Sequence, residues 1–160
     1  MDSQERPTVV MVAIDGSKHA EIAMDAAIAF SKDCNSHLVI VYIHSHSSAP
    51  LLPGLPPYPN ILTDFSASSP RVPKDIIAKM QPILLKYEEK AKTSGVKSVE
   101  SKIIPVWDSV GGGLVQETKR IHASILFVGS RGLTGFKRTL IGSVADYVMK
   151  NADCDVYVAR

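Results

Sequence analysis

"VGSRGLTGFKRTLIGSV", residues 128–144, sets four glycines and three cations between an apolar run and a helical pattern in a 160-residue chain. Glycine in such number weakens packing, so it belongs where the backbone must do something a side chain would forbid. Upstream, "SILFV" (124–128) is a short apolar run with branched and aromatic residues; downstream, "SVADYVMKNA" (143–152) repeats apolar positions at helical spacing. The stretch reads as a strand-to-helix connection, and the same unit recurs backwards along the chain.

"TVVMVAI" (8–14) is apolar on both alternations, as a strand covered on both faces should be. In "DGSKHAEIAMDAAIAFSKD" (15–33), Ser17 suits a helix cap, and Ala20, Ala23, Met24, Ala27 and Phe30 recur at helical spacing. "HLVIVYIH" (37–44) reads as the second strand. Pro73 suits the first turn of a helix through "KDIIAKMQPILLKYEEKAKTSG" (74–95), with Ile76, Ile77, Met80, Leu84 and Tyr87 on one face, a kink at Pro82 and Gly95 as the stop. "VESKIIPVW" (99–107) is the third strand, "GGLVQETKRIH" (112–122) a short helix after a glycine turn, and "DVYVA" (155–159) the last strand. Strands alternating with helices predict an α/β fold: a doubly wound, five-stranded parallel sheet with helices on both faces, Rossmann-like, in one domain over 1–160. In such sheets ligands lie beyond the carboxyl ends of the strands.

Between the second strand and the second helix, residues 45–72 hold most of the chain's prolines and form a long irregular loop. Leu51, Leu52, Leu55, Tyr58, Ile61, Leu62 and Phe65 make it more apolar than a solvated linker, so it is expected to pack on something and to offer a surface for a protein partner. The net charge of +2 lacks the concentrated basic face of a nucleic-acid binder. The start, "MDSQERPT", reads as no targeting signal, and runs such as "LVIVYI" fall well short of the roughly 20 residues of a membrane span. Cys34 and Cys154 lack a metal or CxxC spacing and are expected as reduced, mostly buried thiols; the expected location is cytoplasmic.

After a buried strand, Gly129, Gly132 and Gly135 let successive N–H groups turn into one concavity, a nest that binds anions, and a helix N-terminus adds partial positive charge. Gly142 permits close approach of a ligand at the start of the last helix, where Ser143 supplies a cap and a hydroxyl donor. Two glycine segments thus form a phosphate cradle, or serve only as turn formers. Neither the Walker spacing nor a GxGxxG after the first strand is present.

The spacing Gly129-x2-Gly132-x9-Gly142-Ser143 resembles the G-2x-G-9x-G-[S/T] signature of the nucleotide-binding, ATP-binding branch of the universal stress protein family. "VVMVAIDGS", "HLVIVYIH" and "ILFVGSRGLTGFKRTLIGSVADYVMKNADCDVYVAR" extend the resemblance over nearly the whole chain. It implies an adenine nucleotide alpha hydrolase-like fold that binds ATP or AMP, with Mg2+ accompanying ATP. Asp15 would contact the ribose or adenine side, Ala13 would line the pocket, and Ile43 would hold the adenine through its main chain. Gly129, Ser130, Arg131 and Gly132 would wrap the phosphates together with Gly142, Ser143 and Val144. It also implies a homodimer pairing through Asp155–Ala159, and a stress-response or regulatory switch read in its nucleotide-loaded state.

The chain departs from the family pattern at Trp107-Asp108-Ser109-Val110, where Gly111 to Gly113 stand in for a glycine-led turn, at Asp155 after Cys154, and in the length of the Pro-rich loop. Outside the signature, His44 and His46 read as a solvated pair without a third metal ligand, Trp107 as core or a pocket edge, and at least one of Arg131, Lys137 and Arg138 as a phosphate partner. A dedicated catalytic site does not emerge, since Ser143 has no evident His/Asp partners and His122 lies at a helix boundary in an unknown direction. A weak ATP hydrolase or phosphotransferase, and a nucleotide-free interaction module using the Pro-rich loop, are the alternatives.

Overall fold

Strands and helices alternate along the chain as β1 (Val9–Ala13), α1 (Lys18–Asp33), β2 (His37–Ser45), α2 (Lys74–Thr93), β3 (Ser98–Val106), α3 (Val110–Arg120), β4 (Ile125–Gly129), α4 (Ser143–Asn151) and β5 (Asp155–Ala159). The structure, a computed structural model, describes residues 8–46, 71–107, 109–132 and 141–160; Gly135, Lys137, Arg138, Asp108 and nearly all of the Pro-rich loop lie outside them. All neighbouring strands pair in parallel, in the order β3-β2-β1-β4-β5. The chain winds outward from β1 to β3 and then returns to β4 on the other side. The sheet is doubly wound, as the sequence predicts, and its switch point lies between β1 and β4.

Both faces of the sheet are covered, which is why β1 is apolar on both alternations. Val10 and Val12 pack with α1 and α2 through Met24, Ala27 and Leu84, while Met11 packs with α3 and α4 through Leu114 and Val148. β3 is an edge strand; Pro105, which lacks an N–H donor, is accommodated within it, opposite His44. No helix among the described residues is long and apolar enough to cross a membrane.

Several local expectations change. In α1 the buried stripe is Ala20, Ala23, Met24, Ala27, Ile28 and Ser31; Phe30 keeps 37% of its surface exposed, with its ring against Phe127 at 5.7 Å between centroids. Along α2 the buried positions are Met80, Leu84 and Ala91, and Ile77 faces outward. Pro73 is the N-cap of α2 rather than a residue of its first turn, and the helix continues through Pro82 to Thr93. Pro82 deprives the Ala78 carbonyl of its helical donor, and water can replace that donor because both residues are exposed. Cys34 is exposed at the end of α1, so only Cys154 is even half-buried, and burial pushes its thiol above the ordinary range.

The largest revision concerns Gly111 to Gly113, which lie inside the first turns of α3 rather than in a turn before it. A Cβ on Gly111 would fall 2.8 Å from the Tyr147 ring of α4, and one on Gly113 would fall 2.7 Å from Val106 and 3.2 Å from Ile43. These glycines let α3 sit tightly against α4 and the ends of β2 and β3, close beside the open end of the sheet.

Candidate functional site

A cleft of about 860 Å3 opens beyond the carboxyl ends of the strands, on both sides of the switch point. Each neighbouring element places residues there for a local reason. After β1 the chain turns at Asp15, whose Oδ1 accepts the Ser17 N–H at 2.8 Å, and Gly16 takes a left-handed φ of +83°. Ser17 Oγ then accepts the Ala20 N–H at 3.2 Å, capping α1, and donates to the Arg131 carbonyl at 3.3 Å. The β1 turn is thereby tied to the chain leaving β4.

That chain is held twice more. The Ser130 N–H donates to the Ala159 carbonyl at 2.7 Å, and the Ser130 carbonyl accepts the Gly142 N–H at 2.6 Å. The second bond fixes the start of α4 beside the glycine exit of β4. Gly142 is the N-cap of α4 and brings no side-chain oxygen to its N-terminal amides. Val110 of α3, Ser143 of α4 and Ser17 of α1 all line the cleft. Three helices thus present their N-termini to one space, where each contributes partial positive charge, and the arrangement suits an anion.

On the other wall, the β1–β2 ladder ends with Ala13 opposite Val41, extended by the Ile14 N–H to the Val41 carbonyl at 2.9 Å. Successive residues of a strand address opposite neighbours, and the His46 N–H bonds Val106 of β3 at 2.9 Å. Ile43, in phase with Val41, therefore turns its N–H and carbonyl toward the β1 side, past the end of that ladder. A main-chain donor and acceptor side by side at a cleft wall match the hydrogen-bonding edge of a planar heterocycle.

The sequence profile of the universal stress protein family matches residues 8–160. This chain belongs to the universal stress protein family. A universal stress protein of Staphylococcus aureus strain USA300 is 27% identical over 155 residues, covering 94% of this chain and 82% of the relative. Among solved structures, a universal stress protein crystallised in complex with cAMP superposes with a TM-score of 0.67 at 21% identity, covering 96% of this chain and 97% of that one. A universal stress protein from Archaeoglobus fulgidus in complex with dAMP gives 0.65 at 16% identity, covering 96% and 98%. At these identities the structures show a shared fold.

In this universal stress protein, the described residues among those predicted from the sequence converge on the cleft with one exception, and Gly135, Lys137 and Arg138 lie outside the described residues. Ala13 and Asp15 come from the end of β1, Ile43 from β2, Gly129, Arg131 and Gly132 from the exit of β4, and Gly142, Ser143 and Val144 from the start of α4. Ser130 does not line it: the residue is 2% exposed and its main-chain N–H and carbonyl are spent on Ala159 and Gly142. Ser143 is the first residue of α4 and not its cap, because Gly142 takes that position.

Sequence reasoning missed Tyr42, Leu114 and Asp146 as lining residues, and the structural tie from Ser17 to Arg131. Asp146 was detectable as an acid in the first turn of the helix; its carboxylate pairs with Lys150 at 2.7 Å. His122 sits at the end of α3 opposite the one that lines the cleft, about 16 Å away along an 11-residue helix, so it is no base for Ser143. His44 and His46 are half-buried rather than solvated. Their rings meet edge to face at 4.9 Å, and His46 lies 5.3 Å from Trp107, which is half exposed beyond β3. Among the described residues no cluster of three His, Cys, Asp or Glu side chains could hold a metal ion.

Proposed function

We propose that this universal stress protein binds an adenine nucleotide, ATP or AMP, in the cleft beyond β1, β2 and β4, and that the loaded state is what a partner reads. The observation that carries the reading is the start of α4, whose amides border the cleft beside the exit of β4, with Gly142 as a cap residue that has no side chain. A phosphate there acts as the missing cap. The Ile43 main chain suits the adenine edge, and the Asp15 carboxylate, with Oδ1 engaged by Ser17, offers Oδ2 to ribose hydroxyls. That two proteins of the same fold are described in complex with cAMP and dAMP supports the class of ligand. When ATP is the occupant, Mg2+ would accompany it as a phosphate counter-ion.

The deciding experiment is extraction of protein purified without added nucleotide, followed by calorimetric titration of the stripped protein with ATP, ADP and AMP. Near-stoichiometric adenine nucleotide in the extract, or saturable binding afterwards, is the expected result. Absence of both would remove the reading. The same proposal includes a homodimer formed through β5, the strand that ends the sheet beyond β4.

A further inference from the structure

A second, smaller cleft of about 210 Å3 lies beside the first and is lined by His19, Ser130, Arg131 and Arg160. These residues come from three places far apart in sequence: the first turn of α1, the exit of β4, and the residue after β5. The backbone linking them is fixed, since the Ser130 N–H bonds the Ala159 carbonyl at 2.7 Å and Ser17 Oγ bonds the Arg131 carbonyl at 3.3 Å. Ser130, at 2% exposure, is all but buried beneath it. The cleft is therefore a built feature of the fold, and Arg131 lines both it and the main cleft.

Its basic residues enter no ion pair among the described residues: those pairs engage His37, Lys90, Lys92, Lys102, Lys119, Arg120 and Lys150, and leave out His19, Arg131 and Arg160. Two arginines bordering one concavity give it a positive potential that an anion between them would offset. The guanidinium fork matches the oxygens of a tetrahedral phosphoryl group, His19 adds a ring N–H, and the N-terminal field of the 16-residue α1 acts in the same direction.

We propose that this second cleft is an oxyanion subsite that takes a phosphoryl group between Arg131, Arg160 and His19. The group has two sources, the distal end of a triphosphate whose nucleoside occupies the main cleft, or free inorganic phosphate. The first source rests on the adenine-nucleotide reading above; the second does not.

The test is calorimetric titration of AMP, ATP and inorganic phosphate into the wild-type protein and the Arg160→Gln, Arg160→Lys and His19→Gln variants, each checked for an unchanged melting temperature. With the distal phosphoryl as occupant, Arg160→Gln weakens ATP about tenfold and leaves AMP unchanged, while Arg160→Lys keeps part of the difference. With free phosphate as occupant, phosphate binding is lost in Arg160→Gln and both nucleotides are unaffected. Equal weakening of AMP and ATP, or no change in either the ATP-to-AMP ratio or phosphate affinity in Arg160→Gln and His19→Gln, overturns the subsite. A wild-type protein that binds phosphate but neither nucleotide removes the adenine-nucleotide reading, and it upholds the subsite when that phosphate binding is lost in Arg160→Gln and overturns it when the binding is retained there. One that binds none of the three removes both.

Discussion

Gly129 and Ala20 meet backbone to backbone: a Cβ on Gly129 would stand 2.8 Å from the Ala20 nitrogen and equally close to the His19 carbonyl carbon. The first glycine of the signature thus serves the packing of α1 on β4 as well as the turn that follows. Gly129→Ala is expected to force the first turn of α1 away and to cost about 1–3 kcal/mol, as overpacking of a rigid site does. Urea unfolding measures it. An unchanged midpoint would mean that α1 yields without cost and that the glycine is there for the ligand alone.

Gly142 stands in a different relation to its surroundings. Its Cβ would meet the Ser130 carbonyl at 3.2 Å, a contact that a small local shift relieves, and the branches of a larger side chain would enter the space before the α4 amides. Gly142→Val is expected to keep its far-ultraviolet dichroism while adenine-nucleotide affinity falls more than tenfold. A folded variant with wild-type calorimetric affinity would remove the phosphate cradle from this position.

How far the sequence discloses this protein follows from the same residues. The central strands are legible because β1, β2 and β4 are buried on both faces and so are apolar on both alternations, and Ser17 is legible as a cap because its spacing to Ala20 is local. Gly111 and Gly113 are not legible, because glycine-rich sequence reads as a turn, whereas here its cause is the approach of Tyr147 and Val106 from other elements. Ser130 belongs to the signature in sequence, yet its polar main chain is consumed by Ala159 and Gly142, which only the tertiary structure brings near. The cleft between His19, Arg131 and Arg160 joins three segments that no local pattern links.

Asp15 has two separable duties. Its Oδ1 accepts the Ser17 N–H, and its Oδ2 lies so close to Gly132 that a Cβ there would stand 2.9 Å away. Asp15→Asn retains an oxygen for Ser17, so stability should stay near wild type, while Asp15→Ala should lose about 1 kcal/mol with the hydrogen bond. Both variants should bind adenine nucleotides more weakly, because neither leaves a second carboxylate oxygen for a ribose hydroxyl. Wild-type affinity in Asp15→Asn would confine the residue to its turn.

β5 pairs with β4 on one side and its other edge ends the sheet, while Tyr157 stands exposed on one face beside the Phe127 ring at 4.9 Å. Unpaired strand edges tend to find partners, and a two-fold axis across this edge would pair β5 with its copy. Sedimentation is expected to give a dimer for the wild type and a monomer for Tyr157→Lys. A wild-type monomer at micromolar concentration would overturn the β5 dimer.

His44 makes stability depend on pH in a direction that its surroundings fix. Burial holds its imidazole below the ordinary value of 6.5, the neighbouring His46 acts in the same sense, and Asp75 opposes them only in part. The unfolded chain therefore takes up a proton at this residue before the folded chain does. Stability is complete above about pH 6.5 and is lost as the pH falls from there toward the depressed folded value. Glu100 acts in a lower window: hydrogen bonding to Lys102 holds its carboxyl below the ordinary 4.5, so its contribution is present above that value and is lost as the pH falls through the folded one. Urea midpoints at about pH 7.5 and about pH 5.5 separate the two, since Glu100 stays ionised at both. His44→Gln is expected to shrink the drop between them, and an undiminished drop in that variant would assign the upper step to another histidine.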